Sequence, residues 1–328
     1  MDKHSKETEA VLKIVEQYGP IRSSEIVKML NVSAKTIYKH LLILLDEQVI
    51  KKTGKIPRIF YVYNESNSEG VVISDEVDQL IENNYIYVSP SGELKRGVEG
   101  FQQWCEKNKF DFSKEKKTLS KKIIMVQKIK KEGLISAKKK ILSASGNLHL
   151  DEVFFSDFYN LDHFGKTKLG QLVYLGKSSQ SKELIGEIAT IIKPSLSKLI
   201  EKYKVGLICF IPPTIDRKVQ FLDVLRKRLK LNLPEVMAVK IPSLTKVPQK
   251  TLRKLEDRII NAQKTIAVNP NQKINSNILI IDDATGSGAT LNETAGKIRN
   301  ILGKNKAIKI IGYSVVGSFK GFDVISEV

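Results

Sequence analysis

The chain has 328 residues, of which 41% are hydrophobic and 27% charged, and its formal net charge is +18. This length predicts about two domains, each able to bury a core, and the hydrophobic content excludes an intrinsically disordered chain. Two cysteines, Cys105 and Cys209, are too few for a disulfide framework or a structural zinc site, and no apolar run approaches the ~20 residues that cross a bilayer.

The excess of Lys and Arg predicts a polyanionic partner, with nucleic acid favoured over an anionic membrane. A lysine-rich proteome without such a partner is the alternative explanation of the charge. The first nine residues are polar and lack the apolar centre of a secretory signal peptide, so the expected location is the reducing cytoplasm.

The first 65 residues carry the pattern of three helices followed by a hairpin. Apolar spacing predicts a helix over 7–18 that ends at Gly19-Pro20, and a second helix from Ser23. A third helix runs to about Glu47, with Ser33 as its N-cap. Its expected buried residues are Ile37, Leu41, Leu44 and Leu45. Two short apolar runs around a basic turn then predict a pair of strands.

This order resembles a winged helix-turn-helix domain over residues 1–65. In that family the third helix enters the major groove and the hairpin, or wing, contacts the DNA backbone. The resemblance assigns DNA contacts to two groups of residues, namely Ser33, Lys35, Thr36, Tyr38 and Lys39 on the helix and Lys51, Lys52, Lys55 and Arg58 on the wing. It also predicts a homodimer, because such domains usually read paired half-sites. A domain used for protein contact alone is the alternative.

Residues 66–147 are expected to form a mixed, helical linker region. Helices are predicted from Ser74 and over Gly97–Asn108, with a strand at Tyr85–Val88 between them. A helical, lysine-rich stretch then covers Ser113–Leu142. From Lys107 to Lys140 the chain holds 13 lysines and three acids, which predicts either a solvated basic face or a nucleic-acid groove. Strong aromatic anchors for a membrane surface are lacking there.

The clearest chemical motif lies near the C-terminal end. An apolar run, Asn277–Ile281, leads into Asp282 and Asp283, and a Gly- and hydroxyl-rich loop precedes a helix near Leu291. Small residues let backbone N–H groups converge on a phosphate at a helix N-terminus, and adjacent carboxylates can accept hydrogen bonds from ribose hydroxyls. No lysine follows in Walker fashion, which disfavours a P-loop NTPase. A turn that binds no ligand is the alternative.

The motif resembles the phosphoribosyl pyrophosphate (PRPP) motif of type I phosphoribosyltransferases. The resemblance implies that Asp282 and Asp283 are catalytic and bind the ribose hydroxyls, and that Mg²⁺ accompanies PRPP. It assigns the 5′-phosphate to the loop residues Ala284, Thr285, Gly286, Ser287, Gly288, Ala289 and Thr290. It further implies an α/β fold with a mainly parallel sheet over residues 148–328.

Other segments extend this resemblance to ComF-like phosphoribosyltransferases. The strand Val205–Ile211 precedes a loop that in the family contacts pyrophosphate, and Val236–Lys240 is a further strand. Val173–Lys177 is similar to a lysine-bearing segment, and Pro248–Leu252 to part of a flexible loop. The residues expected on the pyrophosphate side are Pro213, Thr214, Arg217, Lys218 and Arg258, and those expected beside the nucleobase are Lys320 and Phe322.

The chain departs from the family at Gly286, where some members carry an acid that assists catalysis. Three functions remain open. The first is a nucleic-acid-binding regulator whose C-terminal domain senses PRPP or a nucleotide, an arrangement that resembles purine-operon repressors. The second is an active phosphoribosyltransferase or nucleotide-processing enzyme that a winged helix targets. The third is a retron-type antiviral defence effector acting with a reverse transcriptase and its DNA or RNA product. None of the three has a membrane partner.

Overall fold

The computed structural model describes residues 6–47, 49–54, 59–63, 74–145, 147–241, 255–303, 305 and 307–318. The chain forms two compact units, residues 1–72 and residues 73–328. Several positions assigned from the sequence lie outside the described residues, namely Lys55, Arg58, Pro248–Leu252, Lys320 and Phe322.

The N-terminal unit consists of three helices and a small antiparallel sheet. Its elements in chain order are α1 (Lys6–Tyr18), α2 (Ser23–Leu30), α3 (Ala34–Asp46), β1 (Ile50–Thr53) and β2 (Phe60–Tyr63). Ser33 caps α3 as predicted, because its hydroxyl accepts a hydrogen bond from the Thr36 amide at 3.2 Å. Ile21 forms a further antiparallel bridge with Tyr61, which extends the two-stranded sheet to a third segment.

Apolar side chains from all three helices and the sheet fill the core of this unit. Ile37, Leu41 and Leu44 are buried as predicted. The core also contains Val11, Ile14, Val15, Ile21, Ile26, Ile50 and Tyr61. The His40 imidazole is buried in it, and its Nδ1 lies 2.9 Å from the Thr8 hydroxyl, so His40 belongs to the packing.

The second unit begins with small helices and hairpins and continues into an α/β sheet. Its first elements are α4 (Ser74–Asn84), β3 (Ile86–Val88), β4 (Leu94–Arg96), α5 (Gly97–Asn108), α6 (Phe112–Ile129), β5 (Ile135–Ser136) and α7 (Lys138–Ser145). The remaining elements are β6 (Glu152–Phe158), α8 (Lys168–Ser178), α9 (Lys182–Lys202), β7 (Val205–Phe210), α10 (Phe221–Leu229), β8 (Ala238–Lys240), α11 (Leu255–Thr265), β9 (Ile266–Val268), β10 (Asn277–Thr285), α12 (Ala289–Leu302) and β11 (Ile310–Gly317).

A five-stranded sheet in the order β5-β6-β11-β10-β7 organises this unit. The last four strands are parallel and β5 is antiparallel, which confirms an α/β architecture with a mainly parallel sheet. Successive residues of β10 point to opposite faces. Ile278 and Ile280 pack in a core with α12, whereas Leu279 and Ile281 pack in a second core with α8, α9 and α10. The sheet is therefore buried on both faces, as parallel sheets usually are.

The lysine-rich stretch predicted as helical over Ser113–Leu142 is interrupted. Glu132 and Gly133 adopt positive φ angles of 55° and 80°, and Lys131 and Leu134 exchange both backbone hydrogen bonds across this turn. The chain then forms β5, which pairs with β6, before α7 begins. Pairing with a distant strand ends the helix, so the prediction of one continuous helical stretch is wrong, and residues 74–145 lie in the same compact unit as the sheet.

None of the described helices combines the length and the apolar character that crossing a membrane requires.

Candidate functional site

A cavity of about 360 Å³ lies where β7 and β10 separate. β10 pairs with β7 only as far as Ile281 and Phe210, but it continues beside β11 to Thr285 and Gly317. The chain after Phe210 turns away, so the last residues of β10 border open space at the carboxyl ends of the strands. This is the place where open α/β sheets bind ligands.

The two aspartates lie within β10, although the sequence predicts that the strand ends at them. β11 continues alongside and pairs Ala284 with Val316, which holds the chain extended to Thr285. The Asp283 amide donates to Asp282 Oδ1 at 2.8 Å, and Lys177 Nζ lies 2.8 Å from Asp283 Oδ2. Both carboxylates line the cavity.

The two carboxylates have different electrostatic environments. The pKa of Asp282 is raised to about 8. Burial is the main cause, and the negative charge of Asp283 is the second. Burial lowers the pKa of Lys240 below its ordinary value, and Asp282 opposes that shift. Asp283 has the Lys177 ammonium as an ion-pair partner. Asp282 is thus desolvated, whereas the charge of Asp283 is balanced by Lys177.

Residues 285–288 connect β10 to α12 and form a tight turn at the cavity. Thr285 is 95% buried, and its Oγ1 has no hydrogen-bond partner among the described residues. Ser287 is also buried, and its Oγ accepts from the Ala289 amide at 3.3 Å. Since the first N–H groups of a helix lack intrahelical acceptors and carry partial positive charge, the start of α12 favours an anion here.

Gly288 occupies a position where any side chain would be strained. Its φ angle is +77°, and a Cβ at this residue would lie 2.5 Å from the side chain of Ile141 on α7. The turn is thereby packed against the helix beneath it. Further along α12, the Asn292 side chain accepts from the His149 amide at 2.8 Å and donates to the Asn147 carbonyl at 3.0 Å, which fixes the start of the helix.

The residues assigned to the pyrophosphate side are only partly brought together. Pro213, Thr214 and Arg217 line the cavity from the chain that follows β7, and Arg258 lines it from α11. Lys218 is exposed and is not among the lining residues. Arg258 lies in α11, and burial lowers its pKa from the usual high value.

Two cationic residues of the cavity, Lys177 and Lys240, were not assigned to the site from the sequence. Lys177 belongs to the last turn of α8, and the segment that contains it was noted only as a likeness to a family segment. More than a hundred residues separate it from its partner Asp283, so no local pattern connects the two. The Arg226–Glu235 ion pair, at 2.9 Å, also borders the cavity and has no sequence signal of its own.

The residues assigned to DNA contact lie in the N-terminal unit. Lys35, Tyr38 and Lys39 are exposed on α3, together with Leu42, and the spacing of these four residues places them on one face of the helix. Lys51 and Lys52 are exposed on β1. Ser33 is exposed but serves as the N-cap, Thr36 is half-buried beside it, and the Tyr38 hydroxyl accepts from the Ser23 hydroxyl at 3.2 Å.

Among the described residues no cluster of three or more His, Cys, Asp or Glu side chains could hold a metal ion. Asp223 and Glu235 in the cavity lining pair with Arg226, whereas Asp282 and Asp283 offer two adjacent carboxylates to a cation. Mg²⁺ is commonly bound by one or two carboxylates together with substrate phosphates and water, and this donor set fits that mode. No protein-family model matches the chain, and no curated protein is significantly similar to it.

Proposed function

We propose that the protein is a nucleic-acid-binding regulator whose C-terminal, phosphoribosyltransferase-like unit binds PRPP or a nucleotide as an effector. The observation that carries the proposal is the buried hydroxyl of Thr285, which has no partner among the described residues. Thr285 is the last residue of β10, two positions after the cavity-lining Asp283, and it opens the turn that leads to α12. A buried hydroxyl without a partner is costly, and a phosphate oxygen at the helix terminus would satisfy it.

The arrangement of charges around the cavity supports a phosphorylated sugar. The turn and the start of α12 receive an anion, and the nearby carboxylates accept hydrogen bonds from the ribose hydroxyls. Lys177, Arg217 and Arg258 provide positive charge elsewhere along the lining, which suits a second phosphate group. A volume of about 360 Å³ lies within the range of small-molecule sites.

Mg²⁺ would be held by Asp282 and Asp283 together with the phosphates of the ligand. The ion would offset the charge of the pyrophosphate group when it is bound. Asp282 must be ionised to contribute, and its raised pKa makes that contribution depend on pH. The ion pair with Lys177 holds Asp283 in a fixed orientation beside it.

The N-terminal unit supports the nucleic-acid part of the proposal. Three helices with a capped third helix, followed by a hairpin to which Ile21 adds a bridge, have the element order of a winged helix. Lys35 and Lys39 are exposed near the start of α3, where such domains approach base edges and phosphates. Lys51 and Lys52 add positive charge on the hairpin.

A regulatory role is favoured over turnover because Gly286 supplies no side chain at the turn. The binding of DNA and the binding of PRPP would be coupled. Such coupling typically changes the affinity for each ligand by about 5- to 150-fold. An active transferase is the second candidate. The raised pKa of Asp282 favours it, since a carboxyl with a pKa near neutrality can exchange a proton during a reaction.

The experiment measures the affinity of the full chain for a fluorescent duplex DNA pool, with and without PRPP and Mg²⁺. We expect PRPP to change the affinity by at least about fivefold. The paired substitution Asp282→Asn with Asp283→Asn should remove the response to PRPP and retain DNA binding. Lys35→Ala with Lys39→Ala should weaken DNA binding, whereas Lys13→Ala with Lys28→Ala, at exposed lysines of α1 and α2, should not.

Two results would contradict the regulator. Consumption of PRPP in the presence of a free nucleobase, with release of pyrophosphate, would establish the transferase instead. A DNA affinity that PRPP leaves unchanged in the wild-type chain would exclude an effector role.

A further inference from the structure

Four lysines, Lys114, Lys117, Lys121 and Lys128, lie along one face of α6 and are called here the lysine stripe. At 3.6 residues per turn they fall within an arc of about 60° on one face of the helix, and they extend over about 21 Å of its length. All four are exposed. The opposite face carries Leu119, Ile123 and Val126, which are buried in the core.

Four other lysines of this region are neutralised by acids of the same unit. Lys116 pairs with Asp78 at 2.5 Å, and Lys122 pairs with Asp162. Further pairs join Lys130 to Asp157 at 2.9 Å and Lys138 to Glu152 at 3.0 Å. None of the four members of the lysine stripe has an ion pair with an acid among the described residues.

The acids nearest to the stripe in sequence are engaged elsewhere. Glu115 contacts His163, with 2.9 Å between Oε2 and Nε2, on another side of the helix. Asp111 caps α6 by accepting from the Lys114 amide at 2.7 Å. No acidic residue lies on the stripe face between Lys114 and Lys128. The face therefore carries four lysines and no acid.

The stripe opposes helix stability. Like charges three or four residues apart repel, and Lys114–Lys117 and Lys117–Lys121 have these spacings. The buried face already supplies the packing that forms α6, so the fold does not require the lysines. A local feature that opposes folding without a structural gain is expected at a functional surface.

We propose that the lysine stripe binds the phosphate backbone of duplex DNA without reading its sequence. A span of about 21 Å matches about six nucleotides of one strand at 3.4 Å each. Lysine suits this contact because it acts as a point charge that neutralises phosphates. No aromatic side chain lies among the four lysines to anchor a membrane surface. The inference extends the proposed function and shares its nucleic-acid ligand, but it does not need the PRPP site.

The test compares two full-length variants that lose the same charge. One carries Lys→Gln at all four stripe positions, and the control carries Lys→Gln at four exposed lysines of α9 and α10, namely Lys182, Lys193, Lys198 and Lys227. Affinity for a random duplex DNA pool is measured from 50 to 300 mM salt in the absence of PRPP. Each lost phosphate contact should reduce the slope of log affinity against log salt by about 0.9.

We expect the stripe variant to show a slope shallower by about 3 and an affinity at least tenfold lower at low salt, while the control stays close to wild type. Equal slopes in both variants would overturn the proposal. The proposal would also be overturned if the stripe variant kept its DNA affinity but lost binding to vesicles that contain phosphatidylserine. That result would assign the stripe to a membrane surface. Unfolding of each variant, followed by the emission of the single tryptophan, Trp104, verifies that the unit is folded.

Adding Lys35→Ala with Lys39→Ala to both variants separates this inference from the proposed function. If α3 does not bind DNA, this change has no effect while the stripe variant still loses affinity. If the stripe is inert, only the α3 change weakens binding.

Discussion

At the scale of single residues, the site depends on how differently two adjacent carboxylates are held. Asp283 has a positive partner 2.8 Å away in Lys177, while Asp282 is desolvated and its pKa is raised to about 8. A Mg²⁺–phosphate ligand needs both groups ionised. Ligand affinity should therefore increase between pH 6.5 and 9, as Asp282 loses its proton.

The same shift predicts a pH-dependent effect on stability. Asp282 holds its proton in the folded chain up to about pH 8, whereas in the unfolded chain it loses it near its ordinary value of 3.8. The folded state binds more protons between these values, so its stability falls as the pH rises through this window. Asp282→Asn removes this loss of stability. The amount by which its thermal midpoint exceeds that of wild type should therefore be about 2–4 °C larger at pH 8 than at pH 5.

Differential scanning calorimetry checks this prediction. The control is Asp257→Asn, at an exposed acid of α11, which should leave the pH dependence as it is in wild type. If the thermal midpoints of Asp282→Asn and wild type differ by the same amount at both pH values, Asp282 is not desolvated in the folded chain.

Residues that are contiguous in sequence could be assigned to the site from the sequence, and residues brought in from elsewhere could not. Asp282, Asp283 and Thr285 belong to one motif, so their association needs only local geometry. Lys177 and Lys240 reach the same cavity from α8 and β8. Their positions depend on how those elements pack on the sheet, which one sequence does not specify.

At the scale of elements, β10, the turn and α12 form a unit whose geometry depends on Gly288. This residue combines a φ of +77° with close packing against Ile141. We expect Gly288→Ala to lower the free energy of unfolding by about 2–4 kcal/mol, because it adds a steric overlap to the backbone strain. The change should also weaken PRPP binding, since the turn would have to shift.

Gly303→Ala is the matched control for this prediction. Gly303 ends α12 with a φ of +58°, but a Cβ added there would meet no described atom within 4 Å. Its substitution should cost about 1 kcal/mol, from strain alone. Urea unfolding followed by Trp104 emission measures both changes, and equal losses in the two variants would contradict the role of the contact with Ile141.

The elements that the sequence predicted least well are those whose limits depend on distant pairing. β10 extends past the two aspartates because β11 runs beside it, and the lysine-rich stretch is divided because β5 joins β6. Local patterns predicted the N-terminal helices, the Ser33 cap and the apolar β10 more successfully. In these cases the signal lies within a few neighbouring residues.

At the scale of the whole molecule, the chain consists of two compact units, and the proposed regulator needs both. The parallel sheet was predictable because two apolar strands precede polar loops, a pattern typical of α/β folds. The winged helix, the phosphoribosyltransferase likeness and the effector remain proposals. The phosphoribosyltransferase likeness and the effector share one requirement, namely that the turn after Asp283 binds a sugar phosphate.

Calorimetric titration of the full chain in Mg²⁺ tests this requirement most directly. We predict heat of binding with PRPP and with ribose 5-phosphate but none with ribose, and an affinity for ribose 5-phosphate about tenfold lower in Thr285→Val, because the variant loses a hydroxyl donor to a charged oxygen. Two results would contradict the account. One is that the wild-type chain gives no heat of binding with PRPP and ribose 5-phosphate, and the other is that Thr285→Val binds ribose 5-phosphate as the wild type does.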